Sequence, residues 1–517
     1  MPIQAPIIDW GALAPLLIIF TTAVIAVLVE AFVPRQARRS VQMVLTLVAI
    51  AAALITVIYR WVAMSAPTSV LGGALQEDHF TLAAQAIVLI FALLSVMVVT
   101  DRTSVGDGAF VAAGATVPGS AHEEVYTRAG FAVTEIYPLL LFSLGGMMVF
   151  PATGDLVTLF IALEVLSLPL YILCGLARRR RLLSQEASLK YFLLGAFSSA
   201  FMLFGIALVY GFAGSFRYAD ILQAVITLSG GELALVAGVV LILIGLLFKV
   251  GAVPFHTWTP DVYQGAPTPI TGFMAAATKL AAFAAMVRFI YTVAYPLQWD
   301  LLPFLLAVII LTMLLGTVLG IIQGDMKRML AYSSIAHAGF ILMGVVALEE
   351  RAIGAVLFYL LVYGIATIGA FAMISIVREV DQDGTITAEA TGIDQWKGLG
   401  KRHPLLALAM TIFLLSFAGI PLTAGFIGKF VVFSTAVSAG YGWLVVLAVI
   451  ASAATAFFYV RVIVMMYLEE ATERTVVATS EGPAVIAIGI ATIATVVLGI
   501  IPNIVLTIAQ TASKLLP

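Results

Sequence analysis

Long apolar runs separated by short polar segments dominate the pattern of hydrophobic and polar positions along this chain. A helix needs roughly 20 predominantly apolar residues to cross a bilayer. Fourteen runs reach that length, so we predict an all-α polytopic membrane protein with about 14 transmembrane helices. The predicted spans lie near residues 11–32, 41–63, 80–100, 135–153, 155–176, 185–212, 233–255, 268–294, 301–322, 326–348, 352–378, 404–437, 440–468 and 482–511.

Composition supports this class and excludes several kinds of site. Of 517 residues, 62% are hydrophobic and 10% are charged, whereas soluble domains carry about 25% charged residues. The single cysteine, Cys174, excludes a disulfide framework, a four-cysteine iron–sulfur cluster and a cysteine-based zinc site within the chain. The five histidines are scattered, no glycine-rich phosphate loop follows a strand, and nothing indicates a nucleic-acid partner. The N-terminus has no signal-peptide pattern, so we interpret it as the first membrane helix.

Lysine and arginine in the loops predict the orientation. The even-numbered loops and the C-terminus hold only four basic residues, which places both termini outside and the odd-numbered loops in the cytoplasm. Two longer connections, 101–134 and 379–403, are expected to be surface loops, the second with a short amphipathic helix around Ile393–Leu399. The odd-numbered loops hold sixteen basic residues: Arg35, Arg38, Arg39, Arg102, Arg128, Arg178, Arg179, Arg180, Arg181, Lys327, Arg328, Arg378, Lys397, Lys401, Arg402 and Arg474.

One stretch, residues 245–290, carries positive charge inside two apolar runs. Lys249 lies deep in the first run and Lys279 deep in the second. Gly251, Pro254 and His256 follow Lys249 and predict a helix that breaks near Gly251–Pro254, at membrane depth. An ionisable residue within the membrane is by default a functional-site hypothesis. We therefore interpret this stretch as part of an ion or proton path.

A few other charged residues also fall inside the predicted spans. Lys190 and Lys429 lie near mid-span, and Glu164 is the only acid near the middle of a span. Arg288 and Arg461 lie near span ends, where long basic side chains can reach the interface, so we predict that they snorkel. The path hypothesis therefore rests on four lysines and one glutamate.

A weak internal repeat relates two parts of the chain. Pro254 in span seven corresponds to Pro421 in span twelve, where a second break is predicted near Gly419–Ala424. The same shift of five helices lays Glu164 near His337. Five is odd, so the repeats must have inverted topology, as in many transporters. The predicted units are 1–134 (three helices and a polar loop), 135–294 (first five-helix repeat, helices 4–8), 301–468 (second five-helix repeat, helices 9–13) and 482–517 (helix 14).

Three segments of the chain are similar to a known family. FKVGAVPFHTWTPDVYQGAPTP at 248–269, SSIAHAGF at 333–340 and AGIPLTAGFIGKF at 418–430 resemble the antiporter-like subunits of respiratory complex I. Within that family the resemblance is greatest to subunit N (chain 2) of the bacterial proton-pumping NADH:quinone oxidoreductase, over the whole chain. Lys429 stands where the sister subunit M has a glutamate. The long lateral helix of subunit L is not expected here.

The resemblance implies roles for individual residues. Glu164 matches the helix-five glutamate of the family and Lys249 its helix-seven lysine. Lys190 and Lys279 match the connecting lysines, and Lys429 matches the position on the broken helix twelve.

The resemblance also implies a translocase subunit of the membrane arm that moves protons while other subunits oxidise NADH and reduce quinone. No cofactor is expected in this chain, whereas NADH, FMN, iron–sulfur clusters and quinone are expected in partner subunits. The implied partners are subunit M, the small subunits K, J, A and H, the peripheral redox arm and the lipid bilayer. The implied location is the plasma (inner) membrane of a bacterium.

The chemistry of such a path follows from burial. Burial disfavours the charged form of a lysine, and a carboxylate within about 4–6 Å favours it. Movement of Glu164 relative to Lys249 would therefore load or unload the lysine. Lys279 and Lys429 would pass the proton on, with His256 and His337 as relays.

Less specific interpretations remain open beside this one. Lys249 and Glu164 can form a structural ion pair, Lys190 can snorkel, and His256 and His337 can be satisfied packing histidines. Ser167 and Thr278 are interpreted as residues of close helix packing. At the level of the whole chain, the alternatives are a Mrp-type cation/proton antiporter subunit and a structural scaffold of the membrane arm.

Overall fold

We describe the chain from a computed structural model over residues 8–102, 108–117, 120–128, 133–227, 230–380, 386–470, 475–477, 480 and 482–516. Residues 1–7 and 517, Arg474 and parts of both long connections, all used in the predictions above, lie outside these ranges. Within the described residues, eleven helical stretches are long and apolar enough to cross a membrane. Three shorter apolar helices, Ile136–Ala152, Pro404–Ala418 and Ala424–Ser438, accompany them. The all-α polytopic membrane class is confirmed.

The helices are numbered along the chain. The first ten are α1 (Trp10–Phe32), α2 (Arg35–Ala63), α3 (His79–Thr100), α4 (Ala121–Arg128), α5 (Ile136–Val149), α6 (Leu156–Cys174), α7 (Arg181–Ala213), α8 (Tyr218–Thr227), α9 (Glu232–Val250) and α10 (Trp258–Gly265). The others are α11 (Thr268–Phe273), α12 (Lys279–Phe289), α13 (Gln298–Ile321), α14 (Met326–Val346), α15 (Glu350–Ile376), α16 (Leu399–Arg402), α17 (Pro404–Ala418), α18 (Ala424–Ser438), α19 (Gly442–Leu468), α20 (Pro483–Ile500) and α21 (Asn503–Thr511).

Two π-helical turns interrupt the helical stretch that runs through α11, α12 and α13. Met274–Thr278 joins α11 to α12, and Ile290–Ala294 follows α12. A π turn widens the helix locally and is frequent at functional sites. The first of these turns ends directly before Lys279, one of the predicted site residues.

Burial separates central helices from peripheral ones. In the 18-residue apolar segment of α15 every residue is buried, and in that of α14 94% of the residues are buried. In α2, α19 and α20 the buried share is 33%, because one broad face of each helix carries exposed apolar side chains. A helix that is apolar all round and buried belongs to a core, whereas an exposed apolar face is suited to lipid. α15 lies at the centre, in contact with α3, α11, α14, α17, α18, α20 and α21.

Both predicted helix breaks are present, and the helix before each break ends at a C-cap glycine of similar geometry. α9 ends at Val250 and α10 begins only at Trp258; α17 ends at Ala418 and α18 begins at Ala424. The C-cap residues Gly251 (φ +76°) and Gly419 (φ +80°) adopt the left-handed conformation. Their N–H groups donate back to carbonyls of the preceding turn, which satisfies groups that the helix end leaves open.

Short strands occur in the polar connections, which the sequence did not predict. β1 (Thr68–Val70) pairs antiparallel with β2 (Leu75–Glu77). β3 (Val377–Val380) lies between β4 (Ile386–Glu389) and β5 (Thr475–Val477). The connection at 379–403 thus contributes to a small sheet, and the connection at 101–134 contains α4.

The single amphipathic helix predicted around Ile393–Leu399 is wrong. The chain forms a 3-10 turn over Ile393–Trp396 and then the separate helix α16. Gly398, at φ +68°, lies between them, and a left-handed residue cannot continue a right-handed helix.

The predicted snorkelling of Arg288 is also wrong. Its side chain is fully buried (0% exposed) and its guanidinium lies 2.8 Å from the carboxylate of Asp78, which is equally buried. Asp78 is the N-cap of α3, and Arg288 additionally donates to the carbonyls of Pro151 and Leu516. A buried pair is stable only when further hydrogen bonds satisfy it, and these partners supply them.

Candidate functional site

The ammonium of Lys249 lies in a cage of hydroxyl groups at the end of α9. Its Nζ donates to Ser167 Oγ at 2.7 Å and to Tyr191 OH at 2.9 Å, and the residue is 3% exposed. Ser167 comes from α6 and Tyr191 from α7, so three helices build the cage. The C-terminal end of a helix also favours a positive charge. Ser167, interpreted from the sequence as a residue of close helix packing, also binds Lys249 through its hydroxyl.

Glu164 lies on the same helix as Ser167, three residues before it, and therefore on the same face. It accepts a hydrogen bond from Ser199 Oγ of α7 at 2.5 Å. Among the ion pairs of the described residues, none joins Glu164 to Lys249. Lys249 thus binds Ser167 of α6, the helix that also carries Glu164, but it does not contact Glu164 directly.

Aromatic rings surround this lysine. Its Nζ lies 4.8 Å from the ring centroid of Tyr191 and 5.6 Å from that of Tyr171. Trp258, the first residue of α10, stacks on Tyr191 with ring centroids 4.6 Å apart. The indole N–H of Trp258 donates to the carbonyl of Phe248 at 2.9 Å. The helix after the break is thereby attached to the end of the helix before it, directly beside Lys249.

Lys190 does not contact this cage, although it is the neighbour of Tyr191. Its ammonium lies 2.7 Å from the carboxylates of both Glu186 and Asp261, and its side chain is 41% exposed. The other oxygen of Asp261 lies 2.7 Å from the guanidinium of Arg328. Lys190 is thus part of a cluster of four charged side chains at the edge of the site.

Lys279 and His337 lie in a second polar region, around α14. Lys279, after the π turn, donates to the carbonyl and the hydroxyl of Ser334 at 2.6 and 2.5 Å. His337 lies on α14, as Ser334 does, and is hydrogen-bonded through Nδ1 to Tyr359 OH at 2.8 Å and through Nε2 to Tyr459 OH at 3.3 Å.

The link between these two groups runs along α14. Ser333, the neighbour of Ser334, is 2.5 Å from the hydroxyl of Tyr459. Tyr459 therefore lies between Ser333 and His337. All these residues are buried. Lys279 and the tyrosine that contacts His337 thus bind neighbouring serines of α14, whose hydroxyl groups can both donate and accept hydrogen bonds.

Lys429, on α18, binds the end of the helix that precedes the second break. Its Nζ donates to the carbonyls of Phe417 and Ala418 at 2.8 and 3.0 Å and to Ser452 Oγ at 2.7 Å. The two carbonyls are the last of α17 and are left open by the break, so the ammonium binds the negative end of that helix. Gly419 adopts φ +80°, and a Cβ there would also approach the Lys429 side chain to 2.8 Å, so glycine suits this position.

His256 lies within the first break and is half-buried. Its carbonyl accepts from Thr259 N–H at 2.9 Å, and its ring Nδ1 has no hydrogen-bond partner in the part of the chain that the structure describes. The structure does not bring it into contact with the lysines.

Sequence reasoning missed most of the groups that the lysines bind. Ser167 could have been assigned to the site from its spacing to Glu164, because residues three apart share a helix face. No local signal marks Tyr191, Ser334 or Tyr459, since their partners lie far away in sequence. Within the described residues, no group of three His, Cys, Asp or Glu side chains is placed to hold a metal ion.

Comparisons with known proteins agree on one family. Residues 153–455 match the family described as NADH:quinone oxidoreductase/Mrp antiporter, TM. The NADH-quinone oxidoreductase subunit N of Beutenbergia cavernae is 56% identical over 98% of both chains. A chain of respiratory complex I from Thermus thermophilus with bound aureothin is 32% identical, covering 95% of this chain and 98% of that one, with a TM-score of 0.76. A chain of the Mrp complex from Dietzia sp. has a TM-score of 0.77 at 21% identity over 97% of both chains, which shows a common fold alone.

Proposed function

This chain belongs to the family of NADH-quinone oxidoreductase subunit N, and we propose on that basis that it translocates protons in the membrane arm of a bacterial NADH:quinone oxidoreductase. The chain acts as a subunit of a translocase. NADH oxidation and quinone reduction take place in other subunits, which carry FMN and the iron–sulfur clusters.

The observation that carries the proposal is the environment of Lys249. Within the part of the chain that the structure describes, this ammonium, on a residue that is 3% exposed, contacts two hydroxyls and no carboxylate. Removing a charge from water costs several kcal/mol, and a structural lysine is normally compensated by a carboxylate in contact. Glu164 instead acts from beyond Ser167, where a small movement changes its attraction to the lysine. This arrangement favours a lysine that gains and loses its proton over one that only holds helices together.

Proton transfer follows the polar groups that the helices bring together. Within the first repeat, movement of Glu164 relative to Lys249 loads the lysine with a proton or unloads it. Lys279 and His337, linked through hydroxyls along α14, continue the path, and Lys429 at the second break ends it. Hydroxyl groups pass protons by accepting one and donating another. Transfer between the separate clusters takes place through water, as in other buried proton relays.

Lys190 and His256 stay predictions of the path. The first is bound to carboxylates and partly exposed, and the second lies in the break. The position of His256 is compatible with a role where protons enter from solvent, and that of Lys190 with a role beside the Lys249 site.

The architecture that we propose has fourteen spans, with inverted five-helix repeats at 135–294 and 301–468, flanked by 1–134 and 482–517. The equal C-cap geometry of Gly251 and Gly419 supports the repeat, because it places a left-handed glycine at the same point of each broken helix. The basic residues of the odd-numbered loops support cytoplasmic loops on that side and termini on the outer face of the plasma membrane.

The proposed partners are subunit M, the small subunits K, J, A and H and the peripheral redox arm. The Mrp-type alternative is supported by the family model, whose description includes Mrp antiporters, and by a common fold, whereas the relative that is 56% identical is an NADH-quinone oxidoreductase subunit N. The scaffold alternative is disfavoured because Lys249 lacks the direct ion pair that such a role would use.

Purification of the tagged chain in mild detergent tests the proposal. We expect FMN and iron–sulfur clusters to co-purify with it, and the reconstituted complex to take up protons when NADH and quinone are supplied. A chain that purifies without redox subunits and exchanges sodium for protons in liposomes would instead be an antiporter subunit.

A further inference from the structure

Asp261 contacts one cation from each of the two predicted five-helix repeats, Lys190 of 135–294 and Arg328 of 301–468. Its Oδ2 lies 2.7 Å from Lys190 Nζ on α7, and its Oδ1 lies 2.7 Å from Arg328 Nη1 on α14. Asp261 itself lies on α10, the short helix after the first break. Arg328 also donates to Gln264 of the same helix at 3.1 Å. α10 is therefore bound to a helix of the first half and to a helix of the second.

The same face of α10 holds the Lys249 site. Trp258 lies three residues before Asp261 and thus on the same side of the helix. It stacks on Tyr191, while Asp261 binds Lys190, the residue next to Tyr191. α10 therefore holds two consecutive residues of α7, one by charge and one by stacking. The hydroxyl that Lys249 contacts is placed by this double attachment.

The contact with α14 leads to the second polar region. Arg328 precedes Ser333 and Ser334 by five and six residues, about 8–9 Å along the helix axis. Ser334 binds Lys279, and Ser333 binds the tyrosine that contacts the buried histidine of α14. Holding Arg328 sets the height and rotation of α14, and with them the position of both serines.

We propose that Asp261 is a positioning residue for proton transfer, which through Lys190 and Arg328 holds the Lys249 site and the Lys279 site in register. The inference rests on the proposed proton translocation. In this arrangement Lys190 serves by its positive charge, and its proton stays in place during turnover. The charges of Glu186, Lys190, Asp261 and Arg328 balance, so the cluster is stable at the edge of the protein without a further ion.

Substitutions at Lys190 separate positioning from relay. Arginine keeps the positive charge and can bind the carboxylate, but it is effectively never deprotonated. We expect Lys190→Arg to keep at least half of the NADH-driven proton uptake per assembled complex. Lys190→Met should lose most of it. Equal loss in both variants would overturn the inference, because it would make Lys190 a proton carrier.

Substitutions at Asp261 test the central residue in the same vesicles. Asp261→Asn removes the charge at constant size, and we expect proton uptake and NADH:quinone activity per assembled complex to fall together about tenfold or more, as misplacement of transfer groups by about 1 Å can do. Asp261→Glu should recover most of the activity. NADH oxidation by ferricyanide, which needs only the redox arm, should stay unchanged.

The control is the surface pair of Arg351 and Glu349, whose Nε and Oε2 atoms are 2.5 Å apart. Glu349→Gln should leave every rate unchanged. An Asp261→Asn variant that lowers only the amount of assembled complex, with normal uptake per complex, would reduce Asp261 to a purely structural role and overturn the inference. Absence of NADH-driven uptake in the unmodified complex would instead refute the proposed function, so the two failures are distinguishable.

Discussion

Replacement of Lys249 by arginine and by methionine tests whether this residue must release its proton. Arginine keeps the charge and the donors that Ser167 and Tyr191 accept from. Methionine keeps the approximate length and removes both. If Lys249 only held helices together, the arginine variant should pump normally, whereas a proton carrier is inactivated by either change.

The magnitude follows from the surroundings of the residue. In solution the pKa of arginine lies at least about two units above that of lysine, and each unit corresponds to about 1.4 kcal/mol. Because the same surroundings act on both side chains, releasing the proton from arginine costs about 3 kcal/mol or more beyond lysine, which lowers the rate of that step by about two orders of magnitude or more. In the methionine variant the two hydroxyls lose their donor, at about 1 kcal/mol each, but no contacting carboxylate is left unpaired. The penalty of about 3–5 kcal/mol for a broken buried ion pair is therefore absent, and both variants should assemble.

The assay is proton uptake by inverted membrane vesicles on addition of NADH, normalised to assembled complex. Lys401→Arg, at an exposed lysine of α16, is the matched control and should pump normally. We expect less than a tenth of normal uptake from both Lys249 variants. Near-normal uptake by Lys249→Arg would refute the carrier role and leave Lys249 as a structural residue.

Three further predictions concern the fold. Gly251→Ala should destabilise the complex by about 1–2 kcal/mol or more, because the residue has a left-handed backbone and its Cβ would lie 2.9 Å from a threonine hydroxyl. Gly211→Ala, with open space around it, should not lower the melting temperature. An equal fall of the melting temperature in both variants would contradict this. Arg288→Met leaves the carboxylate of Asp78 buried and unpaired, so we expect a loss of about 3–5 kcal/mol and little assembled complex in membranes; full assembly would disprove the structural role of this pair. A cysteine at Arg180 in a cysteine-free background should react with an impermeant thiol reagent in inverted vesicles but not in intact cells; the reverse result would invert the proposed topology.

The local sequence was enough to predict the membrane helices, the two helix breaks and three lysines of the candidate site. Apolar runs of span length identify membrane helices, because a helix is the one open-ended structure that satisfies its own backbone in lipid. Gly251 with Pro254, and Gly419 with Pro421, mark the two breaks, since a left-handed glycine and a proline both stop a helix wherever they occur. Lys249, Lys279 and Lys429 were recognised as site residues because a charge inside an apolar run is costly in any tertiary context.

Tertiary structure alone decided which groups those charges meet. Lys249 and Ser167 are 82 positions apart, Lys279 and Ser334 are 55 apart, and the partners of Arg288 include Asp78 at a distance of 210 positions. Hydropathy and spacing describe one helix at a time. They could not show that Glu164 does not contact Lys249 directly or that Lys190 binds Asp261. They also could not show that Arg288 is buried instead of reaching the interface. The contacts between helices determine these outcomes, because the free energy of a buried charge depends on the atoms that replace its water.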